Sequence, residues 1–357
     1  MPDAQNLLNV ENLSIEIHRG GGAITIPSSR RGVVRNALHR PPPLGAHIVA
    51  RHPPGVAVNN ISFTLAPGEI VGLVGESGCG KTLSCLALAG LLPPAARLAG
   101  GSITFAGHAV HLLPEKELRA LRGRALSMIF QEPAASLNPL LKVQDQIAET
   151  LLVHGLADKR AARDKARALL ERLGIADAPR VMRSYPHQLS GGLCQRVMIA
   201  LAVIASPRLL IADEPTAALD TESGAHLIRT LQSINIDDRM AILFVSHDLR
   251  MVRGFCSRVL VMYAGRIVED APAADLFARP LHEYTNGLLA ALPGAGGRGA
   301  LPAGIPGRAP SLEEGYPPGC PFAPRCPRAL PACAAAFPPA RRFGPRLTHC
   351  LRAGAPS

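Results

Sequence analysis

The sequence predicts an α/β fold built on a parallel-stranded sheet, with an inserted helical subdomain and a cysteine-bearing C-terminal extension. Three observations carry that prediction. Short β-rich runs alternate with helical stretches through the middle of the chain, the pattern of strands joined by crossovers. Pro139 to Gln188 holds no strand candidate and reads as helical. Beyond Pro293, glycine and proline dominate, and only cysteines punctuate the tail.

The elements follow in order. Apolar residues alternate at Val10, Leu13, Ile15 and Ile17, which predicts a half-buried strand. Residues Arg19 to Gly55 then form a proline- and arginine-rich insertion, since three consecutive prolines fit neither a helix nor a central strand. "VAVNNISFTLAPGEIVGLVG" reads as two strands joined by a turn at Pro67 and Gly68. Further strands are expected at Leu126 to Phe130, Arg208 to Asp213, Ala241 to Ser246 and Arg258 to Gly265. The longest apolar runs fall well short of the ~20 residues that span a bilayer. The N-terminus lacks a basic region followed by an apolar run, so no signal peptide is expected and the compartment is read as the cytosol.

The sharpest chemical signal is "GESGCGKT": Gly75, Glu76, Ser77, Gly78, Cys79, Gly80, Lys81 and Thr82, between an apolar strand and a helical run. Glycines let backbone N–H groups turn inward around phosphates, at a helix N-terminus that favours anions. Lys81 would reach the β- and γ-phosphates and Thr82 would ligate Mg²⁺. The complementary acid lies in "LLIADEP", where Asp213 can hold Mg²⁺ and Glu214 can polarise an attacking water. Between the two stands "LSGG", where Ser190, Gly191 and Gly192 open a second helix with a hydroxyl and bare N–H groups. One nucleotide does not need two such cradles; if the chains pair head to tail, each nucleotide would lie between one subunit's Gly75 to Thr82 loop and the other's Ser190 helix. A plain helix cap is the bland alternative for Ser190.

In order and spacing these motifs resemble the ATP-binding cassette (ABC) ATPases, over roughly residues 7–18 and 56–292. The resemblance implies a P-loop NTPase of ABC type, a mixed sheet core with an antiparallel β subdomain and a helical subdomain at about 139–190. It makes residues 1–292 the ATPase domain and 293–357 an extension. By resemblance, Gln131 in "IFQEP" links the γ-phosphate and Mg²⁺ to the membrane partner. Asp220 in "AALD" crosses the dimer interface, and His247 in "FVSHD" contacts the γ-phosphate. "YPHQLSGG", "PLHEYTNGLLAALP" and "YPPGCPFAPRCPRALPAC" resemble the ATPase subunits of oligopeptide, dipeptide and nickel import systems. That implies a second, similar or identical ATPase, two integral-membrane permeases and an extracytoplasmic binding protein, with this chain peripheral on the cytoplasmic face of the inner membrane. Ile17 and His18 stand where the family usually has an adenine-stacking aromatic.

The net charge of +11 is concentrated in the appendages, with six arginines and no acid between Arg19 and Gly55 and eight arginines against two acids from Leu292 onward. The cassette itself is close to neutral, which argues against nucleic acid as a partner. A soluble ABC ATPase acting on DNA or ribosomes is the competing class; the single "LSGG" and the lack of a heptad run count against it. Cys320, Cys326, Cys333 and Cys350 are spaced C-x5-C-x6-C-x16-C. Common zinc sites use tighter pairs, so the expectation is a [4Fe–4S] cluster, with zinc or an empty site as alternatives.

Overall fold

In the computed structural model the described residues are 6–18, 55–217, 219–292 and 304–354. Most of the insertion at 19–55 therefore lies outside them, and Gly55 is the first residue of a strand. The chain enters through β1 (Leu8–Ile17) and β2 (Gly55–Leu65), an antiparallel pair with Ile17 opposite Gly55. The turn at Pro67 and Gly68 then passes the chain to a different sheet, where β3 (Ile70–Val74) is central. Next come β4 (Ala96–Phe105) and the short β5 (His108–Ala109), which complete a four-stranded antiparallel sheet of order β2-β1-β4-β5.

Strand β4 is absent from the sequence reading because Gly100 and Gly101 look like a turn. In the fold they serve a bulge in the β1 pairing. Gly101 has φ 85°, and a Cβ there would lie 2.4 Å from the carbonyl oxygens of Glu11 and Asn12. Only glycine lets the two backbones approach that closely.

The main sheet gathers β6 (Leu126–Ile129), β7 (Leu209–Asp213), β8 (Ala241–Val245), β9 (Arg258–Tyr263) and β10 (Arg266–Pro272) around β3. Two tail strands, β11 (Arg341–Phe343) and β12 (Arg346–Thr348), extend it to the order β11-β12-β10-β9-β3-β8-β7-β6. Pairing is parallel from β9 through β3, β8 and β7 to β6, and antiparallel from β9 outward through β10 and the tail. The sheet is thus mixed, and the extension is not organised by cysteines alone.

The central strands bury both faces. Val71, Leu73, Leu209, Ile211, Leu243 and Val245 pack into one core beneath the antiparallel sheet. Ile70, Val74, Leu210, Ala212, Ile242 and Phe244 pack into the other, under the helices. This is why those strands read as unbroken apolar runs rather than alternating ones. Each of these valine, leucine, isoleucine and phenylalanine side chains contributes about 1.5–3 kcal/mol on burial. The helical subdomain forms as expected, with helices Val143–Val153, Lys159–Arg172 and Ala178–Arg183. In the middle helix Asp158 caps the start by accepting from Ala161 N–H, and Ala162, Ala166 and Leu170 form its buried stripe at helical spacing. No helix among the described residues is long and apolar enough to cross a membrane.

Candidate active site

Strand order alone sets the site, because loops at the carboxyl ends of neighbouring parallel strands share one edge. The sheet places β3, β8, β7 and β6 side by side. The loop after β3 holds Gly75 to Thr82, β7 ends in Asp213 and Glu214, β8 leads to His247, and Gln131 follows β6. The predicted residues therefore converge although the chain separates them widely.

The phosphate loop leads into the helix Lys81–Leu88. A Cβ on Gly75 would lie 2.1 Å from the Met262 carbonyl oxygen, so the loop can pass over β9 only with glycine at that point. Lys81 is buried; its Nζ donates to the carbonyl oxygens of Gly75 (2.8 Å) and Glu76 (3.0 Å). Asp213 is buried at the end of β7. Burial pushes its carboxyl up from the usual range, against a hydrogen bond from Thr82, with the Glu214 charge adding to the rise and Lys81 opposing it. A buried acid beside a threonine hydroxyl and a lysine fits a Mg²⁺-triphosphate, whose metal cation would restore the ionised carboxylate.

Glu214 is the centre of the arrangement. Gln131 Nε2 donates to its Oε2 at 3.4 Å, and His247 Nδ1 lies 3.2 Å from its Oε1. Its backbone sits at φ 50°, which an L residue with a long side chain rarely adopts, and its N–H donates to Val245 O at 3.0 Å. Such strain concentrates at functional sites and costs of order 1–3 kcal/mol.

Ser190 and Asp220 both cap helices within the chain. Ser190 Oγ accepts from Leu193 N–H at 3.4 Å, ahead of the helix Gly191–Val203, and Asp220 accepts from Ser223 N–H at 2.9 Å, ahead of Thr221–Asp238. With Gly192, Arg196 and Leu219 they line one open pocket. Both side chains thus serve as helix caps inside one chain, and Gly191 and Gly192 open the first turn after Ser190. Of the two residues at the adenine position, Ile17 is buried in β1 and His18 is exposed.

The four tail cysteines line a common cavity with His282 and His349, but they are not arranged as a ligand set. No group of three or more His, Cys, Asp or Glu side chains among the described residues could hold a metal ion. The thiols have separate engagements: Cys320 Sγ lies 3.9 Å from His282 Nε2, and Cys333 Sγ accepts from Leu330 N–H at 3.5 Å. Burial pushes the Cys320, Cys326 and Cys350 thiols up, Cys320 to about 11, so they favour the protonated form. The cavity has room for about one water molecule (about 20 Å³), far less than an eight-atom cluster needs. The expected [4Fe–4S] site does not fit this arrangement.

Three residues that bear on the site escaped the sequence reading. The Tyr284 hydroxyl accepts from Glu76 N–H at 2.8 Å, Arg325 Nη1 donates to Glu76 Oε2 at 2.8 Å, and Gln195 Nε2 donates to Pro215 O at 2.6 Å. Tyr284 and Arg325 lie in stretches that carry a family resemblance but no stated role, and the contacts join residues 208, 249 and, for Gln195, 20 positions apart.

Comparison with known proteins agrees with this geometry. Residues 58–217 match the ABC transporter family, and residues 268–333 match the oligopeptide/dipeptide transporter C-terminal region. The chain is 46% identical over 277 residues to the oligopeptide transport ATP-binding protein OppD of Salmonella typhimurium, covering 78% of this chain and 82% of that one. It is 43% identical over 278 residues to the dipeptide transport ATP-binding protein DppD of Bacillus subtilis, covering 78% and 83%. The dimeric bacterial ABC transporter cassette MJ0796 shares the fold, with a TM-score of 0.61 at 23% identity over 74% of this chain and 98% of that one. With a phosphate loop, an acidic strand end and an "LSGG" helix set on this sheet, the chain belongs to the ABC transporter ATP-binding proteins, in the oligopeptide/dipeptide group.

Proposed function

We propose that the chain is the ATP-hydrolysing subunit of an importer of di- or oligopeptides, peripheral on the cytoplasmic face of the inner membrane. The observation that carries the reading is the placement of Glu214 between Gln131 and His247, next to the buried Asp213. Lys81 would exchange the Gly75 and Glu76 carbonyls for the β- and γ-phosphates. Thr82, Asp213 and Gln131 would hold Mg²⁺, which neutralises charge on the phosphates. Glu214 accepts a proton from the attacking water, and His247 orients that carboxylate while facing the γ-phosphate.

Ser190, Gly191, Gly192 and Asp220 stand on the surface, where a second cassette can bring its own phosphate loop. The reading therefore includes a second ATPase, similar or identical, two permeases, and a binding protein that reaches the cassettes only through them. Residues 1–292 form the ATPase domain in this reading. The peptide assignment rests on the relatives' transport of oligopeptides and dipeptides and on the matching C-terminal region.

Reconstitution with the co-purified permeases and binding protein tests it. Peptides are expected to stimulate phosphate release. Stimulation by nickel with no response to peptides would refute the substrate assignment. A [4Fe–4S] cluster on Cys320, Cys326, Cys333 and Cys350 rests on their spacing and shared cavity, and holding it would require that cavity to widen. Iron and sulfide analysis of anaerobically purified protein decides it: four of each per chain supports the cluster, and a colourless zinc-bearing or metal-free protein refutes it.

A further inference from the structure

Arg325 lies in the extension, directly before Cys326, and reaches back to the phosphate loop. Nη1 donates to Glu76 Oε2 (2.8 Å) and to the Tyr263 hydroxyl (3.1 Å), Nε to Pro306 O (2.9 Å) and Nη2 to Ile305 O (3.3 Å). Its side chain is 7% exposed and that of Glu76 27%. The Tyr263 and Phe322 rings lie 5.9 Å from its guanidinium carbon. The Tyr284 hydroxyl takes the Glu76 N–H, so backbone and side chain of Glu76 are both held.

The loop that must receive a triphosphate thus carries a carboxylate at its second position. An unneutralised negative charge there opposes a polyanion, and it does so more strongly where water is partly excluded. Each of the three nitrogens of Arg325 donates to the loop, to β9 or to its own extension, so the pair is fixed rather than a transient surface contact. We propose that Arg325 is a positioning residue for the nucleotide site: it neutralises Glu76 and draws its carboxylate toward the extension, which makes ATP affinity depend on the docked extension. The inference rests on the reading that Gly75 to Thr82 binds ATP.

Calorimetric titration of the full-length chain with Mg²⁺ and AMP-PNP, at low and high salt, tests it. Arg325→Met is expected to weaken binding about tenfold at low salt, the scale of one lost charge-assisted bond. The defect should shrink at high salt, because screening weakens the repulsion of the nucleotide by the unneutralised, half-buried Glu76 charge. Arg325→Lys keeps the charge and should recover part of the affinity. Adding Glu76→Gln to Arg325→Met should recover most of it, since no charge is left to neutralise. If Arg325 serves only to dock the extension, the double variant will bind as poorly as Arg325→Met at every salt concentration, and the proposal fails. It fails equally if melting shows a folded Arg325→Met protein with unchanged affinity. No binding by the unaltered chain would instead overturn the ATP reading itself.

Discussion

At Glu214 a strained backbone and two side-chain contacts fix one carboxylate. Glutamine keeps the shape and can still meet Gln131 and His247, but it cannot take a proton from water. Glu214→Gln is therefore expected to lower turnover by at least ~10²-fold while ATP still binds. Phosphate release by the assembled complex and nucleotide titration read the two effects separately, and normal release would remove Glu214 from the role of base. A second residue-scale prediction concerns Glu269, which is fully buried and accepts from Leu281 N–H (2.8 Å), His282 N–H (2.9 Å) and Thr285 Oγ (2.7 Å). An amide in its place turns an NH₂ toward these donors. Glu269→Gln should cost about 1–3 kcal/mol in urea unfolding, and an unchanged midpoint would show that the three bonds carry no net stability. The turn it organises leads into the helix Glu283–Ala290, which carries Tyr284 to the phosphate loop.

Among the elements, β1 and β2 show what the proline-rich segment is. Ile17 faces Gly55 across an antiparallel pair, so the residues between them connect the two strands of a hairpin. Replacing 19–54 with Asn-Gly leaves the three-residue connection His18-Asn-Gly between Ile17 and Gly55, a length that closes a hairpin. The shortened chain should keep most of its ATPase activity; a large loss of ATP affinity would mean instead that the segment covers the adenine beside His18. The two sheets together mark what the sequence made legible. Alternation revealed β1, and continuous apolar runs revealed the doubly buried β3, β7 and β8, because burial on both faces leaves no polar position. β4 stayed hidden because Gly100 and Gly101 signal a turn locally and serve a bulge only when β1 lies alongside.

Across the whole molecule, the groups proposed to bind phosphate stood out because each sits in a short contiguous motif; the contacts that hold them did not. Arg325 and Glu76 meet across 249 positions of the chain, and the docking of the tail on β10 depends on β12, a three-residue strand too short to announce itself. That docking yields the last prediction. His349 N–H and Thr348 Oγ both donate to Val268 O, and Phe322 closes an aromatic cluster with Tyr263 and Tyr284 at centroid distances of 5.4 Å. Ending the chain after Leu292 would leave β10 as an open edge and uncover both tyrosine rings. Loss of the buried phenylalanine costs about 1.5–3 kcal/mol, and each aromatic pair adds about 0.5–1.5 kcal/mol. The sum is a large part of the 5–15 kcal/mol that typically holds a domain folded. The truncated protein is therefore expected to melt many degrees lower and to aggregate along the bare β10 edge. A truncated chain that melts with the full-length protein would show that the extension is a separate domain, and that the phosphate loop keeps its shape without it.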